Sequence, residues 1–183
     1  ALYAETILHQ DKTVVGLFLG GGAAAAGFLG VVIGGRIADA WKARHPWGRI
    51  PIMIVGAAGP IPAVLLAFTT ASAPVFYIAM FAAGMLAPAA LGAAAATTQD
   101  LVPPRMRGTA TATFFIATAL IGLALGPYMA GFVSTVSGSL RTGVLSLLVA
   151  APVSLVLLIL AWRTVPAAEA SVVERARAAG EAV

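Results

Sequence analysis

The chain of 183 residues is 60% hydrophobic and only 10% charged, whereas soluble domains carry roughly 25% charged residues. This composition excludes an ordinary soluble domain and indicates a membrane protein. In a soluble protein, a formal net charge of +4 would suggest nucleic-acid binding. Here the basic residues are confined to short connecting segments, so we expect no nucleic-acid partner. The absence of cysteine excludes disulfides, thiolate metal sites and cysteine nucleophiles.

Five stretches without charged side chains are long enough to cross a bilayer. They cover residues 14–33, 50–70, 74–98, 109–134 and 143–162. At a rise of about 1.5 Å per residue, a helix of this length spans the roughly 30 Å hydrocarbon core. The sequence therefore predicts an all-α transmembrane fold with five membrane-spanning helices.

Small residues and prolines predict how these helices pack and bend. In the first helix, Gly16, Gly20 and Ala24 are spaced by four residues, which places small side chains on one face and favours close helix packing. Direct contact of this face with a substrate is the alternative. In the second helix, Pro60 and Pro62 are expected to produce a kink.

Basic residues are divided unevenly between the two sides of the predicted bundle. The segments after the first and third helices, 34–49 and 99–108, together with the C-terminal end from Arg163 onward, hold all Lys and Arg residues except Lys12 and Arg141. The positive-inside rule assigns this side to the cytoplasm. We therefore expect a multi-pass protein of the plasma (bacterial inner) membrane with its C-terminus in the cytoplasm and its first residue outside.

The two ends of the chain are predicted from weaker patterns. Residues 1–12 begin without Met and lack the order of a signal peptide, so we expect an internal start, with the end of an upstream helix followed by a solvated outer connection. Trp162 before Arg163 predicts an interfacial anchor. In the tail, residues 164–183, Ser171 and Glu174 fit a capping box that predicts a short amphipathic helix; a disordered tail is the alternative.

Two sequence motifs resemble a known family. The first is GGRIAD followed by KAR, in the segment after the first predicted helix, and the second is QDLVPPRMRGTATA running into IGLALGPYMAGFVS. Together they resemble the carboxyl-terminal half of a major facilitator superfamily transporter, and within it the spinster-like branch. The chain departs from the family's loop signature at Ala40, where a basic residue is usual, and at Lys42, where glycine is usual.

This resemblance implies an arrangement of the chain and a partner for it. Such a transporter has twelve helices, of which the last six form its C-terminal bundle. Residues 13–163 correspond to helices eight to twelve, and residues 1–12 to the end of helix seven and its outer loop. The missing N-terminal half of the same transporter is the implied partner, with membrane lipid and a small-molecule substrate. Helices eight, ten and eleven, the first, third and fourth predicted here, are implied to line a central cavity.

The resemblance also implies a function. It implies secondary active transport by alternating access, coupled to protons, with a lipid-like substrate. No ionisable side chain lies in the central part of any predicted helix, and such groups mark proton relays and ion sites, so we expect the coupling group upstream. A non-transporting membrane scaffold or assembly subunit is the alternative. We expect no enzyme, cofactor or metal site, because no Ser/His, paired Asp or ligand set occurs at membrane depth.

The first basic segment is the predicted cytoplasmic gating loop. Its candidate residues are Gly35, Arg36, Asp39, Lys42 and Arg44. Asp39 has two interpretations. In the first, its negative charge balances Arg36 or Arg44 on a solvent-exposed surface. In the second, it accepts hydrogen bonds from the N-terminal end of a helix in the opposite half, where the helix dipole favours a carboxylate. That contact, called the latch below, would close the cytoplasmic side.

Two further groups of candidate residues come from the third and fourth predicted helices. Asp100, Arg105 and Arg107 form either a solvated cluster or a set that pairs with the first basic loop. The fourth helix contains a predicted hinge or packing face, consisting of Gly122, Gly126, Pro127 and Gly131. Small residues favour packing, whereas the Gly-Pro pair favours a local bend, because proline removes a backbone hydrogen bond.

Polar side chains that reach a cavity are few. The predicted cavity-lining residues are Thr97, Thr98, Gln99, Thr113, Thr118 and Tyr128. A wall with so few polar groups suits a small amphipathic or lipid-like substrate better than a sugar or a multiply charged ion. His9 and His45 have no partners that suggest a metal or proton site, and we expect both to be exposed loop residues.

Overall fold

The computed structural model describes residues 2–6, 8–178 and 180, and all regular structure in them is helical. Five helices are long and apolar enough to cross a membrane: the first span, Lys12–Lys42, the second, Ile50–Thr69, the third, Ala73–Asp100, the fourth, Pro104–Ser137, and the fifth, Leu140–Ala170. Short helices, Leu2–Thr6 and Val172–Ala178, lie at the two ends. The predicted all-α transmembrane class is confirmed.

The first, fourth and fifth spans extend beyond the uncharged stretches that predicted them. The fifth span continues past residue 163 to Ala170, so the helix crosses the predicted boundary between the membrane part and the tail, and the boundary itself stays a prediction. The tail then forms the helix Val172–Ala178. Residues 1 and 7 of the N-terminal segment, and 179 and 181–183 of the tail, lie outside the described residues.

Asp11 caps the first span. Its Oδ1 accepts a hydrogen bond from the backbone N–H of Thr13 at 2.8 Å. Hydrogen bonds from Thr13 favour the ionised carboxylate and hold the pKa of Asp11 below its usual value. A carboxylate at this position satisfies helix N–H groups that have no partner in the preceding turn, which fixes the start of the span at Lys12.

The second span is interrupted at its prolines, as predicted. It consists of the helices Ile50–Ala58 and Pro60–Thr69, which meet at Gly59. Because Pro60 and Pro62 have no N–H to donate, the helical hydrogen-bond ladder is broken there.

The first and third spans are in backbone contact along a stripe of small residues. The stripe consists of Ala26, Gly30, Gly34 and Ala38, spaced by four and all buried. A Cβ added at Gly30 would lie 2.1 Å from the carbonyl oxygen of Met85, and one added at Gly34 would lie 2.4 Å from the Cβ of Ala89. This is the close approach that small-xxx-small spacing permits between helices in lipid.

The packing face predicted from the sequence is not the face that packs within the described bundle. A Cβ added at Gly16 or Gly20 would meet no atom of the described residues within 4 Å, and Ala24 is exposed. Small residues recur every four positions on two faces of the first span, so spacing alone does not identify the face that meets a neighbour.

The fourth and fifth spans form a hairpin. Gly138 adopts a left-handed conformation with φ of 65° at the turn, and Gly143 brings the fifth span close, since an added Cβ would lie 2.4 Å from the carbonyl oxygen of Ala130. The fifth span also packs on the second, where Leu158 and Val165 contact the buried cluster. No residue of the fourth span is buried by the part of the chain described.

The N-terminal helix packs against the second and third spans. The Tyr3 hydroxyl donates to the carbonyl oxygen of Phe68 at 3.2 Å, and the Tyr3 ring stacks on Phe76 with centroids 5.7 Å apart. Tyr3 and Ala4 are 8% and 0% exposed and lie in the helix Leu2–Thr6. The prediction of a solvated connection concerns the residues after this apolar beginning. It holds for His9 and Asp11, which are exposed.

Contacts among the described connecting segments divide them between two ends of the bundle. One end holds the N-terminal helix and the turn between the fourth and fifth spans, because Tyr3, Thr6 and Arg141 line one cavity of about 350 Å³. The other end, called the basic end below, holds residues 36–49, 100–107 and 162–178, which ion pairs and ring contacts join directly. The predicted grouping of the basic segments on one side is therefore present.

The contact at Gly34 predicts a specific sensitivity to side-chain size. We expect Gly34→Ala in the full-length protein to lower the free energy of unfolding by about 1–3 kcal/mol, because the new Cβ overlaps Ala89 and the helices must separate. Gly27→Ala is the matched control, since a Cβ at Gly27 meets no described atom within 4 Å. Denaturant titration of the purified protein in detergent measures both, and equal stabilities would contradict the close packing.

Candidate functional site

The predicted gating loop is mostly helical. The first span continues to Lys42, so Gly35, Arg36 and Asp39 lie on its last turns and only residues 43–49 connect it to the second span. The prediction of a loop over 34–49 is wrong at its beginning, because charged residues are fully compatible with a helix once it leaves the hydrocarbon. Asp39 and Lys42 therefore have fixed positions on a helix end.

Arg49 joins the ends of three spans. It lies directly before the second span, and its Nη1 donates to Oδ2 of Asp100, the last residue of the third span. Its Nε and Nη2 donate to Oδ1 of Asp39, on the first span, at 3.2 and 3.1 Å. The planar guanidinium presents several donors in a fixed geometry, so one side chain binds two carboxylates.

The partner of Asp39 differs from the ones considered in the sequence. Neither Arg36 nor Arg44 pairs with it in the described residues; Arg49 does. The Asp39 side chain is nevertheless 68% exposed, and the described residues donate only to its Oδ1. Contact of Asp39 with an opposite half of the protein stays a prediction.

Asp100 pairs with the first basic segment, which is the second of the two interpretations from the sequence. Its partner is Arg49. The alternative from the sequence was a solvated cluster of Asp100 with Arg105 and Arg107. Arg105 lies in the short 3-10 turn Pro104–Met106 and Arg107 begins the following helix. Both are exposed at the start of the fourth span.

Lys42 makes a contact that the sequence did not indicate. Its Nζ forms an ion pair with Glu169 at the end of the fifth span and donates to the carbonyl oxygen of Pro46 at 2.8 Å. Glu169 is separated from Lys42 by 127 positions, and no local pattern marks either as a partner. Only the packing of the fifth span on the second brings them together.

The predicted cavity-lining residues differ in how far they are buried. Thr97 is 6% exposed and donates to the carbonyl oxygen of Ala93 at 2.8 Å, so its assignment to an open cavity is corrected to a packing position. Thr98, Thr113 and Thr118 also donate to carbonyl oxygens four residues earlier in their own helices. These hydroxyls satisfy their donor groups locally, which leaves mainly apolar surface to a ligand.

Gln99 and Tyr128 have different surroundings. The Gln99 side-chain N–H donates to the Thr111 hydroxyl at 3.1 Å, which joins the third and fourth spans. Tyr128 is 66% exposed, and its ring stacks on Phe132 one turn away with centroids 6.4 Å apart. Of the predicted set, Tyr128 is therefore the largest polar side chain on an open face.

The predicted hinge in the fourth span coincides with an irregular helix. Residues Thr118–Leu125 form a π-helical segment, and the regular helix resumes at Gly126 and Pro127. Proline at 127 removes a donor and crowds the carbonyl of Leu123, and the wider π-turn accommodates both effects. Such segments mark functional positions in many helices.

The glycines of this span do not pack against the described chain. Added Cβ atoms at Gly122, Gly126 and Gly131 would meet no described atom within 4 Å. Packing through these glycines inside the described bundle, one of the two interpretations from the sequence, is therefore absent, and the local irregularity supports the other.

An apolar groove opens beside this segment. It has a volume of about 430 Å³ and lies between the fourth and fifth spans. The side chains that line it are almost all aliphatic: Ile121, Leu125, Met129, Val133, Leu147 and Val149, with Ser146 as the polar exception. The groove suits a hydrocarbon surface and offers no charge to an ionic ligand.

The described histidines and acidic residues lie apart from one another. No three His, Asp or Glu side chains come close enough to hold a metal ion in the portion of the chain described by the structure. His45 is exposed and stacks on Trp47 with centroids 4.7 Å apart, and Trp47 stacks on Trp162 at 5.1 Å. Trp162, predicted as an interfacial anchor, thus belongs to an aromatic stack at the basic end.

Comparison with known proteins agrees with this architecture. The sequence model of a family described as Major Facilitator Superfamily matches residues 1–182. The chain belongs to the major facilitator superfamily. It is also 31% identical over 120 residues to a protein of Mycolicibacterium smegmatis (strain ATCC 700084 / mc(2)155) described as an MFS-type efflux pump; the match covers 66% of this chain and 28% of that relative. No solved structure gives a significant match.

The family match confirms the superfamily predicted from the two motifs. Together with the five long apolar helices, it makes the chain an integral multi-pass membrane protein. The chain aligns with less than a third of the length of its relative, so the activity of a whole transporter is a matter for proposal. The spinster-like branch and the C-terminal half stay predictions.

The position of Arg49 between two carboxylates leads to a prediction about stability. Arg49→Gln in the full-length protein leaves Asp39 and Asp100 without their shared cation, and we expect a loss of about 1–2 kcal/mol in the free energy of unfolding. Arg49→Lys is expected to fall between, because one ammonium lacks the guanidinium geometry. The measurement is denaturant titration in detergent.

Arg44→Gln is the matched control for Arg49. Arg44 lies in the same connecting loop, is exposed, and makes no ion pair within the described ranges. A loss for Arg44→Gln equal to that for Arg49→Gln would show that net charge, rather than the three-span contact, sets the stability of this end.

Proposed function

We propose that this chain is one half of a secondary active transporter that works by alternating access. It supplies helices eight to twelve of the C-terminal half, and the N-terminal half of the same protein is its partner. The superfamily match and the partial coverage of the efflux-pump relative support this assignment. So does the gathering of the basic segments at one end, which we propose is the cytoplasmic end of a plasma-membrane protein.

The observation that carries the proposal is the exposed carboxylate of Asp39 above the Arg49 contact. Arg49 holds Asp39 through one oxygen, while the side chain stays 68% exposed. A fixed carboxylate with a free oxygen at a helix end is suited to accept hydrogen bonds from the N-terminal end of a helix in the other half. We propose that this contact closes the cytoplasmic side and breaks when that side opens.

The substrate we propose is a small amphipathic or lipid-like organic molecule. The groove beside the fourth span is lined by aliphatic side chains, and the threonine hydroxyls on the predicted cavity face are bonded within their own helices. Burial of an ionic substrate against such surfaces would leave its charge unpaired. The name of the relative, an efflux pump, supports export as the direction.

Proton coupling is part of the same proposal and is assigned to the partner half. The Asp, Glu, Lys, Arg and His residues of the described spans lie near the helix ends and not in their central turns. A group that titrates at membrane depth therefore comes from the N-terminal half. The resemblance to the spinster-like branch supports the lipid-like substrate class, and no enzymatic activity is proposed.

The latch predicts a shift in conformational balance. We expect Asp39→Asn in the full-length protein to favour the form open to the cytoplasm, because the neutral amide binds a helix N-terminus more weakly than a carboxylate does. Efflux of a fluorescent amphipathic dye from proteoliposomes is the assay, with a changed rate expected for Asp39→Asn. Asp11→Asn makes the same chemical change at the opposite end and is expected to leave the rate unaltered.

The outcomes of this assay separate the candidate functions. Dye efflux that depends on the ion gradient supports the transporter, and an unchanged rate in Asp39→Asn would argue against the latch. A folded full-length protein that moves none of a panel of amphipathic dyes, but copurifies with another membrane protein, would favour the scaffold alternative.

The cavity assignment of the fourth span leads to a second prediction. The chain has no native cysteine, so single cysteines report directly on water access. We expect Tyr128→Cys and Thr118→Cys in a cysteine-free full-length protein to react with a water-soluble maleimide, and substrate to slow the reaction. Ile159→Cys, on the exposed apolar face of the fifth span, is the lipid-facing control; labelling as fast as at Tyr128 would contradict the assignment.

A further inference from the structure

The C-terminal segment turns back onto the basic end. The fifth span ends at Ala170 and the helix Val172–Ala178 follows after one residue. Ala176 in this helix is fully buried, so the segment packs against protein. The Ser171 hydroxyl donates to the carbonyl oxygen of Ala168 at 2.8 Å, which places this side chain in the turn between the two helices.

Three contacts attach this segment to the other spans. The Trp162 ring stacks on Trp47 in the loop before the second span, with centroids 5.1 Å apart. Glu169 pairs with Lys42 at the end of the first span, and the two side chains are only 14% and 22% exposed. Trp162 and Glu169 lie about two turns apart on the fifth span, so these two contacts fix its extension along its length.

The third contact reaches the end of the third span. Arg175 Nη2 donates to the carbonyl oxygen of Leu101 at 3.1 Å and to that of Ala168 at 3.0 Å. Leu101 is the C-cap residue of the third span, where carbonyl oxygens lack helical partners and a cation is favoured by the helix dipole. One guanidinium thus connects the end of the third span to the turn after the fifth.

We propose that residues 162–176 form a clasp that holds the basic ends of the first, second and third spans together as one rigid unit. Its contacts go to the end of the first span, to the loop before the second and to the C-cap of the third, and the Arg49 contacts join the same three spans from within. The clasp limits the relative motion of these helix ends. This inference does not depend on whether the protein is a transporter.

The tail provides matched control residues for the charged contacts. Glu174 and Arg177 lie on the same short helix as Arg175, are exposed, and form no ion pair in the described part of the chain. Neutralising Glu174 or Arg177 therefore changes the net charge of the tail by the same amount as neutralising Glu169 or Arg175, without removing a contact of the clasp.

The test measures the distance between two helix ends by pulsed electron paramagnetic resonance. Spin labels are placed at Ala40→Cys, exposed near the end of the first span, and at Val102→Cys, half-buried just after the third span, in a cysteine-free full-length protein without substrate. We expect Glu169→Gln and Arg175→Gln to broaden the distance distribution, and Glu174→Gln and Arg177→Gln to leave it unchanged. Equal widths in all variants, or equal broadening in the controls, would overturn the clasp.

A charge exchange guards against a variant that misfolds. Lys42→Glu and Glu169→Lys each place like charges at the contact, and we expect each to broaden the distribution. The double variant restores opposite charges and is expected to restore the narrow distribution. A double variant as broad as the single ones would show that the Lys42–Glu169 pair does not hold the clasp.

Discussion

The direct contact between the backbones of the first and third spans is the constraint on which the rest of the bundle depends. In lipid there is no hydrophobic gain from bringing two apolar helices together, so association depends on close van der Waals packing. Gly30 and Gly34 supply it, because a single Cβ at either position would overlap the third span. The two helices therefore emerge at the basic end close enough for one arginine to reach both.

The ion pairs at the basic end follow from this packing and do not create it. Asp39 lies on the last turn of the first span and Asp100 ends the third, and Arg49 lies between them at the start of the second. Exposed ion pairs contribute roughly 0–1 kcal/mol each, much less than the cost of separating packed helices. The polar contacts therefore select the orientation of helix ends that the apolar packing has already brought together.

Much of the fold could be predicted from the sequence because the bilayer imposes a length on each apolar stretch. The five spans, the break at Pro60 and the grouping of basic segments on one side all follow from charge-free runs, proline chemistry and charge counting. The contacting face of the first span could not be predicted, since Gly16 and Gly20 show the same spacing as Gly30 and Gly34. Helix ends were also missed, because Asp39 and Lys42 continue a helix outside the hydrocarbon.

The site was less predictable because its contacts join distant parts of the chain. Arg49, Asp39 and Asp100 were each visible as charged residues near helix ends, but the identity of the pairs depended on which spans are neighbours. Glu169 and Arg175 had no signal at all, since a mixed-charge tail is compatible with disorder. Thr97 illustrates the opposite error: a polar residue in a span was assigned to a cavity, yet its hydroxyl bonds the preceding turn.

The alternating-access mechanism proposed above needs contacts that persist and contacts that exchange, and the described residues separate the two kinds in space. The glycine contact is buried in the membrane, where no water or ion competes for it, and its loss would leave voids that nothing fills. The carboxylate of Asp39 is largely exposed, so water replaces a broken hydrogen bond at a net cost of only about 0.5–1.5 kcal/mol. Because Asp39 is mounted on a helix end that the packing keeps fixed, the proposed contact with another half of the protein can form and break without disturbing the bundle that presents it.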